Sequence, residues 1–292
     1  MSTFTKQLIH TAAIALIAAA CTQTDDDTPQ GRAISFRPAA ETRAAVDADK
    51  KGMKDFLVWG GYTGQQLFEG ETVHPNGSYE GGTRYWVPGE WNFYAIHPKG
   101  INASRTNGTF TVTGFDASKT GADAVDLMTA STPVTYPEGG NPPASVGLAF
   151  HHELARVKIS LTANGATVDD LRIYGVGYEG NFTSNAVPKW ELTTVSTAED
   201  TPFSKQNLGQ DGEVFDLLLP TDADLSDAML KVSYHYGSEA SASRSDETEL
   251  AITGGWAAGK QYHYKASIAS GSLNIKVTIA EWDEEDTSVN WH

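Results

Sequence analysis

The chain has one cysteine among its 292 residues, Cys21. No intramolecular disulfide can form, so stability must come from buried apolar surface, which a chain of this length can supply. Positive charge is also scarce: 21 Lys and Arg stand against 37 Asp and Glu, a formal net charge of −16. That balance argues against a nucleic-acid partner. Long apolar runs are missing too. The one such stretch, residues 11–20 (TAAIALIAAA), is about half the roughly 20 residues needed to span a bilayer. Helical periodicities of useful length are scarce, and no Gly-x-Ser-x-Gly elbow, phosphate loop, paired-carboxylate motif or His-Glu-x-x-His signature occurs. The chain is therefore expected not to be an enzyme, and no cofactor is expected.

What is present is aromatic and strand-forming. Seven Trp, eleven Tyr and eleven Phe accompany frequent Gly and Thr, a combination that favours an all-β protein. Short alternating runs separated by Gly, Asn, Pro and Asp follow one another from Phe56 onward. Expected strands in the first half are Phe56–Tyr62, Thr83–Val87, Trp91–His97, Thr109–Thr113, Val125–Thr129, Val146–Phe150 and Glu153–Leu161. The second half gives Leu171–Val176, Lys189–Leu192, Val214–Leu219, Leu230–Tyr236, Glu249–Thr253, Gln261–Ile268 and Leu273–Ile279. In the last of these Leu273, Ile275, Val277 and Ile279 share one face, expected to point inward. The spacing predicts tandem β-sandwich domains: residues 44–161 and 162–292, with the polar break at 162–169 between them.

The first forty-three residues carry separate signals. Residues 1–20 are a leader with a signal-peptide h-region, removed on export. Ala18, Ala19 and Ala20 lead into Cys21, a lipobox-like arrangement in which the thiol is acylated; Ala18 stands where Leu is usual. Residues 21–43 are then a tether and a lone strand-like segment, Ala33–Arg43, that ends in an arginine just before Ala44.

Other constellations are weaker. In His151-His152-Glu153, adjacent residues on a strand point to opposite faces and make poor metal co-ligands, so packing is the expected role. The tract Asp283–Asp286 lacks the glycine-turn loop of a calcium site and reads as a solvated loop. Trp86, Trp91 and Trp190 could form a carbohydrate platform or pack in the sandwich cores; the latter is expected.

Several motifs together resemble the fimbrillin family of Bacteroidetes, the pilin subunits of type V pili. They are the lipobox followed by Ile34-Ser35-Phe36 and Arg43-Ala44, then Trp91–Ala95, Asp126–Ala130, Phe150–Val157, Trp256–Tyr262, and Ile279–Trp282 with Asn290-Trp291. The resemblance implies two transthyretin-like β-sandwich domains and a structural pilin role that supports adhesion. It also implies a mechanism. The lipoprotein precursor, anchored to the outer membrane through Cys21, is cut between Arg43 and Ala44 by a maturation protease and joins a cell-surface fimbrium. The strand Ala33–Pro38 leaves, and Leu273–Trp291 of another subunit fills its groove; Leu273, Ile275, Val277, Ile279, Trp282, Val289 and Trp291 are the expected donor-strand residues. The alternative is a surface lipoprotein or pilus-tip adhesin that binds glycans or a partner protein.

Overall fold

The computed structural model describes residues 31–40, 53–120, 123–184, 188–209, 211–221, 225–238 and 243–282. It is all-β, and no α-helix occurs among the described residues. In chain order the strands of the first half are β1 (Phe36–Ala40), β2 (Phe56–Tyr62), β3 (Gln65–Val73), β4 (Gly89–His97), β5 (Ala103–Thr106), β6 (Thr109–Asp116), β7 (Met128–Tyr136), β8 (Val146–His152) and β9 (Leu154–Thr162). The second half contributes β10 (Thr167–Tyr174), β11 (Gly177–Thr183), β12 (Lys189–Val195), β13 (Ser204–Gly209), β14 (Gly212–Pro220), β15 (Met229–His235), β16 (Arg244–Glu249), β17 (Lys260–Ala269) and β18 (Ser272–Glu281).

The strands form four sheets. A six-stranded sheet has the order β1-β8-β7-β4-β2-β3. Three four-stranded sheets have the orders β13-β10-β15-β16, β12-β11-β6-β5 and β14-β9-β17-β18. Buried apolar side chains fall into two clusters. The smaller belongs to the six-stranded sheet and is built on Phe56, Phe68, Trp91, Phe93 and Phe150. The larger draws on β9 to β12, β14, β15 and β17 together with Phe110, Val112 and Phe115 of β6. Strand β9, which the sequence places at the end of the first unit, is hydrogen-bonded to β14 and β17. The polar break at 162–169 holds a turn at Asn164 and Gly165 that joins β9 to β10.

Alternation explains the readable strands. In β2 the buried residues Phe56 and Val58 alternate with half-buried neighbours, and β15 shows the same two-residue period. Three expected strands differ, and one of them, Val125–Thr129, is displaced to Met128–Tyr136. Residues 83–87 are not a strand; Tyr85 makes only an isolated antiparallel bridge to Ala33. That stretch lies between Gly81-Gly82 and Pro88, and among the described residues its only bridge partner is the leader. The expected strand Glu249–Thr253 is displaced to Arg244–Glu249, a polar edge strand beside β15. Its exposed faces carry no apolar rhythm to mark it.

Candidate functional site

The site is the seat of the leader strand. Ile34 and Phe36 are 2% and 3% exposed, while Arg32 and Arg37 are exposed, so the Ile-Ser-Phe alternation directs its apolar members inward. Burying these two side chains contributes about 1.5–3 kcal/mol each relative to exposure. β1 runs parallel to β8, with Phe36 opposite Val146 and Ala40 opposite Phe150. The Val146 N–H donates to the Ser35 carbonyl at 2.8 Å, and the Ser35 hydroxyl donates to the Ala144 carbonyl at 3.2 Å. β1 is an edge strand, so Pro38, which lacks an N–H, is tolerated there.

The other side of the leader is closed by the connection between β3 and β4, residues 74–88. The Ile34 N–H donates to the Arg84 carbonyl at 2.8 Å and the Phe36 N–H to the Gly77 carbonyl at 3.3 Å. The Trp86 N–H donates to the Arg32 carbonyl at 3.1 Å. Contact at Gly77 is so close that a Cβ there would lie 1.9 Å from the Phe36 carbonyl oxygen. The leader therefore lies in a slot with two hydrogen-bonding walls. Phe36 is the hub of its floor, meeting Phe68, Tyr79 and Phe93 edge-to-face at 5.3, 5.8 and 5.6 Å.

Sequence reasoning placed a strand at Thr83–Val87 but missed that residues 74–88 fold across the leader, because contact between segments so far apart in sequence leaves no local mark. The signals available there were Gly77, Gly81-Gly82 and the buried Trp86 among exposed neighbours.

At the other end of the chain, β18 is an edge strand held by β17 through a tight Ser270-Gly271 turn with φ of 54° and 75°. Leu273 and Ile275 are half-buried against the larger cluster. The expectation that the whole row points into a core is corrected: Val277 and Ile279 are 39% and 53% exposed. Nothing described covers the far half of this edge strand. Trp282 also differs from an anchor free to enter another subunit. It is 5% exposed, its N–H donates to the Gly259 carbonyl, and its indole stacks on His152 at 4.0 Å. Cys21, Arg43, Ala44, Val289 and Trp291 lie outside the described residues.

His152 and Glu153 mark the passage from β8 to β9. The His152 Nδ1 pairs with Asp126 at 2.9 Å. Glu153 accepts a hydrogen bond from the Thr129 hydroxyl at 2.5 Å, and burial holds its carboxyl above the usual range. His151 is exposed on the same strand. Among the described residues, no group of three His, Cys, Asp or Glu could hold a metal ion. Beside Glu153 lies a cleft of about 470 Å3 bordered by Trp190, Thr221 and Trp256. Trp86, Trp91 and Trp190 are 4%, 1% and 8% exposed, packed in the cores rather than displayed as a platform.

His97 gives a pH test. Its Nε2 accepts the Lys54 N–H at 3.1 Å and its Nδ1 faces the Asp126 carbonyl at 3.1 Å. These partners select the neutral tautomer with the proton on Nδ1. Burial accordingly holds its pKa below the ordinary 6.5. The stabilisation is present above pH 6.5 and is lost as pH falls through the depressed value, because the unfolded chain binds the proton first. Glu153 has the opposite sign, since its raised pKa favours the fold in acid. The expected result is that His97→Gln, whose amide can serve both partners, flattens the decline in urea midpoint below pH 6.5 relative to the parent chain. An unchanged slope would remove His97 as its source.

A family model described as fimbrillin-like matches residues 42–282. No curated protein matches the chain. Among solved structures, the chain is similar to a candidate cell adhesion protein from Bacteroides ovatus, with 17% identity, 87% of this chain and 98% of that one covered, and a TM-score of 0.58. It is similar also to a fimbrial protein from Bacteroides vulgatus, with 12% identity, 86% and 100% coverage, and a TM-score of 0.57. A candidate cell adhesion protein from Bacteroides uniformis gives 15% identity, 86% and 98% coverage, and a TM-score of 0.54. At these identities the solved structures speak to the fold, and the family match speaks to kinship: the chain belongs to the fimbrillin-like family.

Proposed function

We propose that the chain is a structural, non-enzymatic subunit of a cell-surface fimbrium, exported as a lipoprotein through Cys21 and polymerised by strand exchange once a protease cuts between Arg43 and Ala44. The observation that carries this reading is the leader's seat. A short segment with two deeply buried side chains lies at the sheet edge, close in sequence to Arg43. Its departure would expose the edge of β8 and the pockets of Ile34 and Phe36, which is the situation that strand addition repairs.

The donor is the terminal region of a second copy, Leu273–Trp291. Its first part stays paired to β17 in its own chain, with Trp282 fixing the end of that part. In this reading the segment after Trp282 is the part that enters the neighbouring subunit. Residues 283–292 span at most roughly 35 Å when extended. Val289-Asn290-Trp291 repeats the aliphatic, polar, aromatic order of Ile34-Ser35-Phe36, so Val289 and Trp291 are the residues that enter the vacated pockets. Exposed Val277 and Ile279 add an apolar surface to the subunit junction. The partners are therefore other pilin subunits, the maturation protease, and the outer membrane before cleavage. Two usable ends favour a stalk position over a one-ended tip adhesin.

The test is N-terminal sequencing of subunits taken from assembled fibres. A start at Ala44 is expected. Fibres whose subunits all remain intact from Cys21 would overturn the reading.

A further inference from the structure

The slot has two walls of different character. One is β8, a strand with a neighbour of its own in β7. The other is a single layer of irregular chain, residues 83–87, exposed at Thr83, Tyr85 and Val87 and lying between Gly81-Gly82 and Pro88-Gly89. Gly81 and Gly82 both have φ in the left-handed region, 83° and 85°, where glycine turns freely. This strap meets the leader from Arg32 to Ile34 and is tied down at two points: Trp86 is 4% exposed with its ring against Trp91 and Phe93 at 5.0 and 5.8 Å, and Arg84 holds the arm that precedes it. The Arg84 guanidinium donates to Glu71 of β3 at 2.5 Å and stands over the rings of Phe68 and Tyr79 at 4.6 and 5.5 Å. The Arg84 N–H donates to the Tyr79 hydroxyl at 2.8 Å. Phe68 and Tyr79 are also the rings that Phe36 packs against. The tie and the leader's aromatic anchor thus share a support.

We infer that residues 83–85 are a gate over the leader slot, hinged at the buried Trp86 and latched by Arg84, and that opening this gate sets the rate at which the cut leader leaves and a new strand enters. The inference rests on the strand-exchange reading for its purpose, although its kinetics can be measured without assembly. A strand bonded on one edge can peel away laterally. Here the Ile34 N–H and the Arg32 carbonyl are bonded to the strap while the Ser35 carbonyl is bonded to β8. Peeling from β8 alone leaves the strap bonds in place, and the reverse also holds. The β8 wall is fully buried at Val146, Leu148 and Phe150, whereas the strap is exposed at Thr83 and Tyr85, so the strap is the side that yields. Arg84→Met keeps much of the stem length and removes the ion pair. A part-buried charge-assisted hydrogen bond of this kind justifies an expected gain of about tenfold in leader release.

Cys21 makes the measurement direct, because it is the only thiol and lies in the leader. The full chain, purified with its thiol free, is labelled there with a fluorophore. Arg32→Lys and Arg37→Lys leave Arg43 as the only arginine of the leader, and an arginine-specific protease then cuts after it. Fluorescence anisotropy follows departure of the labelled leader. Arg84→Met and Glu71→Gln are each expected to speed departure about tenfold, and the double variant is expected to be no faster than either alone, because both break one latch. Ser35→Ala, which removes an exposed bond on the β8 side, should change the rate far less. Equal release rates for Arg84→Met, Glu71→Gln and the parent would overturn the gate. So would additive single effects, which would mean general loosening. If release accelerates as stated but no fibres ever form, the gate stands and strand exchange falls.

Discussion

Replacing Phe36 with alanine is expected to destabilise the uncleaved chain by about 3–5 kcal/mol, the range for removing a phenyl ring from a packed core. The upper half of that range is favoured by geometry. Phe36 is 3% exposed and makes edge-to-face contacts with Phe68, Tyr79 and Phe93. Each such aromatic pair is worth about 0.5–1.5 kcal/mol beyond area burial. The cavity cannot refill easily, because β8 is held on one side and Gly77 presses against the leader backbone on the other. Urea denaturation read by tryptophan fluorescence suits the measurement, since Trp86 and Trp91 sit in the same cluster. Arg37→Ala, an exposed change on the same strand, is the internal control and should stay within about 0.5 kcal/mol. The two apolar clusters need not unfold together, so the loss should appear in the transition that involves the smaller one. A chain cut after Arg43 and freed of its leader should be indifferent to the substitution. A loss near 1 kcal/mol in the uncleaved chain would mean that the leader is a loose passenger, and the slot would lose its functional meaning.

Much of this fold was legible from alternation and apolar runs, and the failures have identifiable causes. β2 has the bounds that Phe56–Tyr62 predicts, because a continuous apolar and aromatic run ends at the Thr63-Gly64 turn. β17 and β18 extend the expected Gln261–Ile268 and Leu273–Ile279 by a few residues at their ends. Some missed strands have no apolar demand on either face, whereas β3 and β11 bury Phe68, Val73 and Phe182 but are interrupted by glycines and bulges that break the two-residue period. β16 reads Arg-Ser-Asp-Glu-Thr-Glu and β13 reads Ser-Lys-Gln-Asn-Leu-Gly, and each occupies a sheet edge. Pairing was hidden for a different reason. Two ladders are parallel, β1 on β8 and β9 on β17, and joining strands far apart in sequence leaves no local mark. The same limit applied to the site. Ile34-Ser35-Phe36 identified the leader's inward residues, but its second wall depends on Arg84 and Gly77, whose roles exist only after residues 74–88 fold across it. For β18 the residue pattern was right and the environment was not. Leu273, Ile275, Val277 and Ile279 do share a face, yet a row at a sheet edge is buried only as far as its neighbours extend.

The second large effect is expected at the far end of the chain. Val289→Asp with Trp291→Asp should abolish fibre formation and leave the unfolding of the uncleaved chain unchanged. In the exchange reading, these side chains replace Ile34 and Phe36 in pockets lined by Phe68, Tyr79 and Phe93. An aspartate placed in such an apolar pocket must either be desolvated as a charge or be protonated, and burying an unpaired charge costs at least several kcal/mol. Two of them at one junction exceed what a strand of this length can recover through backbone hydrogen bonds worth about 0.5–1.5 kcal/mol each. Size exclusion after cleavage should therefore give only monomers, while circular dichroism and urea midpoint match the parent chain. Swapping the pair, Val289→Trp with Trp291→Val, is the sharper companion. It preserves composition and hydrophobicity but reverses the aliphatic-to-aromatic order set by Ile34 and Phe36. A slot that reads this order in one direction along β8 should assemble the swapped chain at least tenfold more slowly, a difference of about 1.4 kcal/mol. Equal assembly by the swapped chain would show that the terminal segment contributes greasiness without register. Fibres from the doubly aspartate-substituted chain would place the donor elsewhere, with the exposed face of Val277 and Ile279 as the surface to examine next.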